Sequence, residues 1–277
     1  MRKMLFLSMM NFTLKIEVIG LLLMFYTGCE RTAYRHFTFD REAVVRGDST
    51  RKALALVFTG GDFSDGGWHI REVLKEERIL AGFFFTGDFY RRSADAGLIR
   101  QLIRDGHYLG PHSDQHLLYC DWQNRDSLLV TEAEFTRDIL ENYREMERFG
   151  IRKDQTPFFI PPYEWYNEIV VQWARELGLV LFNMTPGTVS HADYTTPDMP
   201  NYCNSETIYQ SILDYEKSHP AGLNGFILLI HIGSHPDRSD KFYILMEPLI
   251  QELKARGYCF RRIDQLIGHG KGQEKFE

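Results

Sequence analysis

The chain has 277 residues, 44% of them hydrophobic and 14% aromatic, with a formal net charge of -6. That is enough apolar material for the core of one large domain. Lys and Arg are scattered rather than gathered into a stripe, which argues against nucleic acid as the partner, because a phosphate backbone calls for a basic face.

The first 29 residues differ from the rest. Arg2 and Lys3 make a basic start, residues 18–26 an apolar core, and Thr27-Gly28-Cys29 a small-residue end. The apolar run is too short to span a bilayer comfortably. It reads as a secretory signal. Cys29 directly after Gly28 resembles the processing point of a bacterial lipoprotein, in which that cysteine carries the lipid; a plain signal peptide with an incidental cysteine is the alternative. The expectation is an exported chain, periplasmic or on the cell surface, tied to a membrane through the lipid anchor only. Cys120, Cys203 and Cys259 are odd in number and lack Cys-x-x-Cys spacing, so neither a zinc knuckle nor a disulfide framework follows.

Residues 30–52 read as a polar N-terminal lead-in. From residue 53, strand and helix signals alternate. Residues 53–58 form a continuous apolar run, as in a strand buried on both faces. A helix follows over 68–78, a strand over 82–86, a helix over 94–104 and a short strand at 108–109. Thr131-Glu132-Ala133-Glu134 is a capping box that opens a helix to about residue 149. Then come a strand at 157–160, a helix at 167–177 ended by Gly178, and a strand at 179–183. A helix at 206–218, a strand at 225–231, a helix at 241–256 and a last strand at 258–263 complete the series. Seven strands with helical crossovers predict an α/β fold with a parallel sheet. At this length a single-domain, closed or nearly closed β/α barrel over 53–270 fits best, with a doubly wound open sheet as the alternative. No Gly-x-Gly-x-x-Gly follows the first strand, so the dinucleotide-binding fingerprint is missing.

In a β/α barrel the chemistry collects at the C-terminal ends of the strands. Those ends carry Asp62, the His112/His116 pair in Gly110-Pro111-His112-Ser113-Asp114-Gln115-His116, the Pro161-Pro162-Tyr163-Glu164-Trp165 turn, His191 and Asp193, and His231. Two imidazoles four residues apart can close on one divalent ion. Segments distant in sequence thus bring histidines and carboxylates to one face.

On these pieces the chain resembles the polysaccharide deacetylase family, the NodB-homology domain of carbohydrate esterases. The matching segments are residues 55–58 leading to Asp62, 82–87, 106–116, Pro161-Pro162-Tyr163 and Leu229-Ile230-His231. The resemblance implies a distorted (β/α)7 barrel and metal-dependent removal of acetyl groups from amino sugars or acetylated glycans. It implies Asp62, His112 and His116 as metal ligands, with zinc the first guess and cobalt, nickel or manganese suited to the same donors. It implies His231 as the general acid. It also implies an oxyanion held by the backbone N–H near Tyr163, and Asp193 as the acidic residue of a further motif. Apart from the resemblance, Trp165, Tyr166, Tyr119 and Trp122 read as loop aromatics that stack on the sugar rings of a substrate, with packing in the barrel-top core as the alternative.

Two departures stand out. The family reads Thr-Phe-Asp-Asp where this chain reads Val57-Phe58-Thr59-Gly60-Gly61-Asp62, so Thr59 replaces the family's catalytic base. Ile160 replaces the arginine that steers that base. Glu164 is the leading replacement base, with Asp65 and Asp114 behind it. Each site residue has a plainer reading beside it. Asp62 suits a turn, Glu164 suits the N-cap of the next helix, and His107 reads as a structural strand residue. The competing functional class is a non-catalytic glycan-binding lipoprotein that kept the barrel and lost the base.

Overall fold

The computed structural model describes residues 34–268. The leader, with Cys29, lies outside the described residues. From Phe37 onward the described chain belongs to one structural unit. Nine strands run β1 (Thr38–Asp40), β2 (Ala43–Arg46), β3 (Ala53–Gly60), β4 (Gly82–Phe85), β5 (Tyr108–Pro111), β6 (Phe158–Phe159), β7 (Val180–Leu181), β8 (Phe226–His231) and β9 (Cys259–Phe260) among the described residues. The main helices are α1 (Gly67–Glu76), α2 (Gly87–Arg91), α3 (Ala96–Arg104), α4 (Glu132–Glu147), α5 (Glu168–Glu176), α6 (Ser205–Ser218), α7 (Met246–Ala255) and α8 (Ile263–Leu266).

All seven expected strands form. Two differences have physical causes. Residues 38–46, read as polar lead-in, form the antiparallel β1–β2 hairpin. Its buried Ala43, Val44 and Val45 are too few to stand out against the charged flanks. The last strand stops at Phe260 rather than Ile263, because the chain turns there and Ile263 opens α8 with its side chain in the core.

Parallel pairing runs β5-β4-β3-β8, with β9 also on β3, and β6 pairs with β7. Between β5 and β6 the ladder is replaced by a side chain: the Phe158 N–H donates to the Tyr108 hydroxyl at 2.9 Å. Between β7 and β8, β2 is wedged in. The Asn183 N–H donates to the Val44 carbonyl, and Gly47 N–H to Gly225. The result is a distorted (β/α)7 barrel whose ring of strands is interrupted rather than continuously bonded.

The strand period of two sorts side chains to two cores. On β3, Leu54, Leu56 and Phe58 join the layer under the helices, whereas Ala55 and Val57 join the inner cluster. On β8, Leu228 and Ile230 face the helices, and Ile227 and Leu229 face inward. Phe84, Tyr108, Phe158, Ile160 and Phe182 complete the inner cluster. Gly110 leaves room for Phe84 there; a Cβ would meet the Phe84 ring at 2.4 Å. The next inward positions along three strands are Thr59, His112 and His231. The alternation that fills the barrel therefore also delivers polar side chains to its mouth.

α4 opens on the expected Thr131/Glu134 capping box. α5 is capped by Asn167, whose side chain accepts from Val170 N–H, so Glu164 is not the N-cap.

Candidate active site

His112 and His116 face each other with ring centroids 5.0 Å apart. The buried His112 ring places Nδ1 2.9 Å from the Ile160 carbonyl. A carbonyl only accepts, so Nδ1 carries the proton and Nε2 keeps its lone pair. This is the tautomer a metal-binding imidazole requires. Burial holds His112 far below the usual imidazole range, and the His116 ring adds to that. Burial likewise takes His116 down to about 4, with His231 pushing the same way and Asp62 opposing. Both rings are thus neutral donors at neutral pH.

The loop carrying them is held from below by α4. Asn142 Oδ1 accepts from His112 N–H at 2.9 Å. One Asp138 oxygen accepts from the N–H groups of Asp114 and Gln115, and the other from the Tyr119 hydroxyl. Arg91 grips Asp114 with two hydrogen bonds of 2.8 and 2.9 Å. Sequence reasoning missed these supports. The available signal was two polar residues four apart, Asp138 and Asn142, inside the apolar stripe of Phe135, Ile139, Tyr143 and Met146.

His231, the last residue of β8, lies 2.6 Å through Nδ1 from Asp193 Oδ1, and its own N–H donates to Asp193 Oδ2 at 2.8 Å. Burial by itself would lower this imidazole. The Asp193 charge and hydrogen bond, with Glu164 adding, raise it above its ordinary value instead. Asp193 sits in a 3-10 turn that Arg238 fastens. This fully buried guanidinium donates to the Thr195 carbonyl at 2.7 Å and to Ser205 Oγ at 3.2 Å.

The proline turn brings Tyr163 and Glu164 to the same mouth. Both adopt left-handed backbone, with φ of 58° and 54°, and so do Ser113 and His116 at 71° and 55°. The Tyr163 ring packs against His116 at 4.3 Å. Burial pushes the Glu164 carboxyl up to about 7; the His231 charge opposes this and Asp193 adds to it. The other proposed bases are occupied. Asp65 is bound by Ser234 N–H, Tyr243 and Lys241, and Asp114 by Arg91.

Thr59 is the register partner of His231 across β3 and β8. Its hydroxyl is buried without a hydrogen-bond partner, as is Nδ1 of His191. His107 packs edge-on against Phe83, and its Nδ1 accepts from Ala81 N–H at 3.1 Å, a structural role.

Among the described residues no three His, Cys, Asp or Glu side chains are grouped tightly enough to hold a metal ion. The His pair supplies two suitable nitrogens. Asp62 is exposed on the rim and acts on His116 through its charge. The described donors thus stop at two histidine nitrogens, which suit a divalent ion by type; Asp62 would complete a ligand set only by turning in from its exposed position. Trp165 is half-buried; its indole N–H donates to the Asp121 carbonyl at 3.2 Å. Cys120, Cys203 and Cys259 are free thiols.

The fold is that of the family 4 carbohydrate-esterase barrels. The sequence profile of polysaccharide deacetylases matches residues 46–182. The chain is 25% identical over 227 residues to the peptidoglycan-N-acetylmuramic acid deacetylase PdaA of Bacillus subtilis, covering 82% of this chain and 75% of that protein. It is 24% identical over 221 residues to a peptidoglycan-N-acetylglucosamine deacetylase of Bacillus cereus, covering 79% of this chain and 90% of the other. The crystal structure of Bacillus subtilis PdaA, a family 4 carbohydrate esterase, aligns with a TM-score of 0.62 at 21% identity over 85% of this chain and 87% of that one. A family 4 pseudoenzyme from Bacillus anthracis aligns at 0.63 and 19% identity over 82% and 69%. The chain belongs to the polysaccharide deacetylase family.

Proposed function

We propose that the chain is a metal-dependent deacetylase that removes acetyl groups from the amino sugars of a peptidoglycan-type glycan. The observation that carries this is the meeting, at one mouth, of three differently tuned groups: a neutral histidine pair, a histidine whose hold on its proton is strengthened by Asp193, and a carboxyl poised near 7. Groups with pKa values pushed apart are what acid–base chemistry at neutral pH needs. The names of the relatives supply the substrate class.

His112, His116 and Asp62 would hold the ion, zinc first and cobalt, nickel or manganese next. A divalent ion there would act as a Lewis acid toward the acetyl carbonyl and the attacking water. Glu164, which makes no hydrogen bond through its carboxylate among the described residues, takes the proton from that water. His231 hands its proton to the leaving nitrogen. The N–H groups of Glu164 and Trp165 are spent on the carbonyls of Pro161 and Pro162, so a developing oxyanion would take the Tyr163 N–H. Action on such a glycan places the protein outside the cytoplasm, with Cys29 as its lipid anchor. No helix among the described residues is long and apolar enough to cross a membrane.

The test is acetate release from N-acetylated and O-acetylated oligosaccharides, measured beside metal content. Bound zinc with no acetate from any substrate would sink the catalytic reading. It would leave the second one, a glycan-binding lipoprotein with a silent site, which Thr59 favours by standing where the family keeps its base. A variant of the Bacillus anthracis pseudoenzyme with restored activity shows that silence on this fold is reversible in that protein.

A further inference from the structure

Among the described residues, Arg238 is the largest side chain that the fold buries completely, and no step above uses it. Taking a guanidinium out of water is costly unless close partners offset the loss. Its ion-pair partner is a loose one: Asp240 lies 3.6 Å from Nη2 and keeps 35% of its side chain exposed. An apolar side chain often fills such a space at no loss in stability. What the guanidinium supplies instead is direction. Nη1 donates to the Thr195 carbonyl at 2.7 Å, Nη2 to Ser205 Oγ at 3.2 Å and Nε to the Asp240 carbonyl at 3.1 Å. Thr195 closes the 3-10 turn Ser190–Tyr194, and Ser205 opens α6. Residues 195–204 form neither helix nor strand, so no backbone ladder holds the turn on that side.

Two clasps thus join the same two segments. Asp193 closes on His231, and just beyond it Thr195 closes on Arg238, from the loop that follows His231. That loop is itself fixed to the barrel. The Ile232 N–H donates to the Thr59 carbonyl and the Ser234 N–H to Asp65 Oδ1, both at 2.9 Å, and Lys241 holds the Ser234 and His235 carbonyls at 2.9 and 3.0 Å.

We propose that Arg238 is a positioning residue for the His231 imidazole: its clasp on Thr195 keeps the turn where both Asp193 oxygens meet His231. That His231 serves as an acid rests on the deacetylase reading above; the clasp rests on geometry. One Asp193 oxygen takes the His231 N–H and the other meets Nδ1, so a small shift of the turn loosens both contacts and frees the ring. Other groups face His231 too. Glu164 comes from the proline turn, His112 and His116 from the loop after β5, and His191 and the Tyr194 ring from the Asp193 turn itself. Of these, Asp193 and Glu164 favour the charged imidazole, Asp193 more strongly. Arg238 bonds the backbone on the far side of Asp193, so it acts through the turn.

The experiment is histidine NMR titration of the full protein, with His231→Gln to assign the resonance, in the wild type, Arg238→Met and Arg238→Lys. Melting curves check that the variants fold. The sign separates positioning from plain charge. Removing a nearby cation would raise the His231 pKa, whereas loosening Asp193 lowers it. Arg238→Met should lower it by about one unit, the low end of what an adjacent opposite charge is worth. Arg238→Lys keeps the charge without the planar fork and should lower it by less; this variant decides if Arg238→Met does not fold. In an Asp193→Asn background neither substitution should move it further. An unmoved or raised His231 pKa overturns the proposal, and so does an equal drop in the Asp193→Asn background. Acetate release is read separately. A wild type that releases none removes the deacetylase and leaves the clasp standing, because the titration needs no turnover.

Discussion

Thr59 and His231 sit directly across from each other on neighbouring parallel strands, and the Thr59 hydroxyl meets no hydrogen-bond partner. The residue that stands in for the family's base therefore lies beside the residue proposed as acid. This relationship separates the two functional readings. If Glu164 has taken over as base, Glu164→Gln should reduce acetate release by about 100-fold or more, the usual worth of a general base. Adding Thr59→Asp to that variant should return part of the rate. A Glu164→Gln protein as fast as the wild type removes Glu164 from the reaction.

The pH profile follows from the same groups. Glu164 acts as base only when ionised, so kcat/KM should climb through about 7. His231 acts as acid only when protonated, so activity should fall again above its raised pKa. The two interact, so the limbs belong to the pair. Asp193→Asn removes the charge that opposes burial; the His231 pKa then drops and the descending limb moves to lower pH. Histidine NMR titration would follow this directly, and an unmoved resonance would contradict the coupling.

Metal binding should depend on the two histidines more than on Asp62, which starts exposed. His112→Ala should lose stoichiometric zinc. Asp62→Ala should bind it more weakly, and chelation should abolish acetate release in the wild type. Atomic absorption and competition with a zinc dye give the numbers. Equal affinity in the wild type and Asp62→Ala would assign the third ligand elsewhere.

His107 predicts acid sensitivity. Burial lowers its folded pKa to about 4, with Asp105 opposing, whereas an unfolded histidine titrates near about 6.5. Below that value the unfolded chain takes up a proton that the folded one refuses. Stability fully present above about 6.5 should therefore fall as pH drops toward 4. The loss from this group is at most roughly 3.5 kcal/mol, at about 1.4 kcal/mol per pH unit. His107→Asn, whose oxygen can still accept from Ala81 N–H, should flatten the slope of melting temperature against pH.

The barrel was legible because period-two strands and capped helices are local patterns. Residues 53–58 and 225–231 announce buried strands, and Thr131/Glu134 announces a helix start. His112, His116 and His231 were legible because strand ends in this architecture face one mouth. Three things were not. The β1–β2 hairpin has too few apolar residues to signal itself, although β2 fills the break between β7 and β8. The hold of Asp138 and Asn142 on the histidine loop is a contact between segments some twenty to thirty residues apart. The burial of Arg238 comes from the 192–205 segment wrapping around it, which no local pattern announces.

Seven non-glycine residues among those described adopt left-handed backbone, and Ser113, His116, Tyr163 and Glu164 are four of them. Each such residue holds about 1–3 kcal/mol of strain that the surroundings must sustain. The mouth is thus a spring kept cocked by the rest of the barrel. Glycine relaxes such positions, so Tyr163→Gly should soften the turn at little or no loss in melting temperature while degrading the proposed turnover. In this chain, resistance to heat and the proposed chemistry would be set against each other within two short turns of backbone.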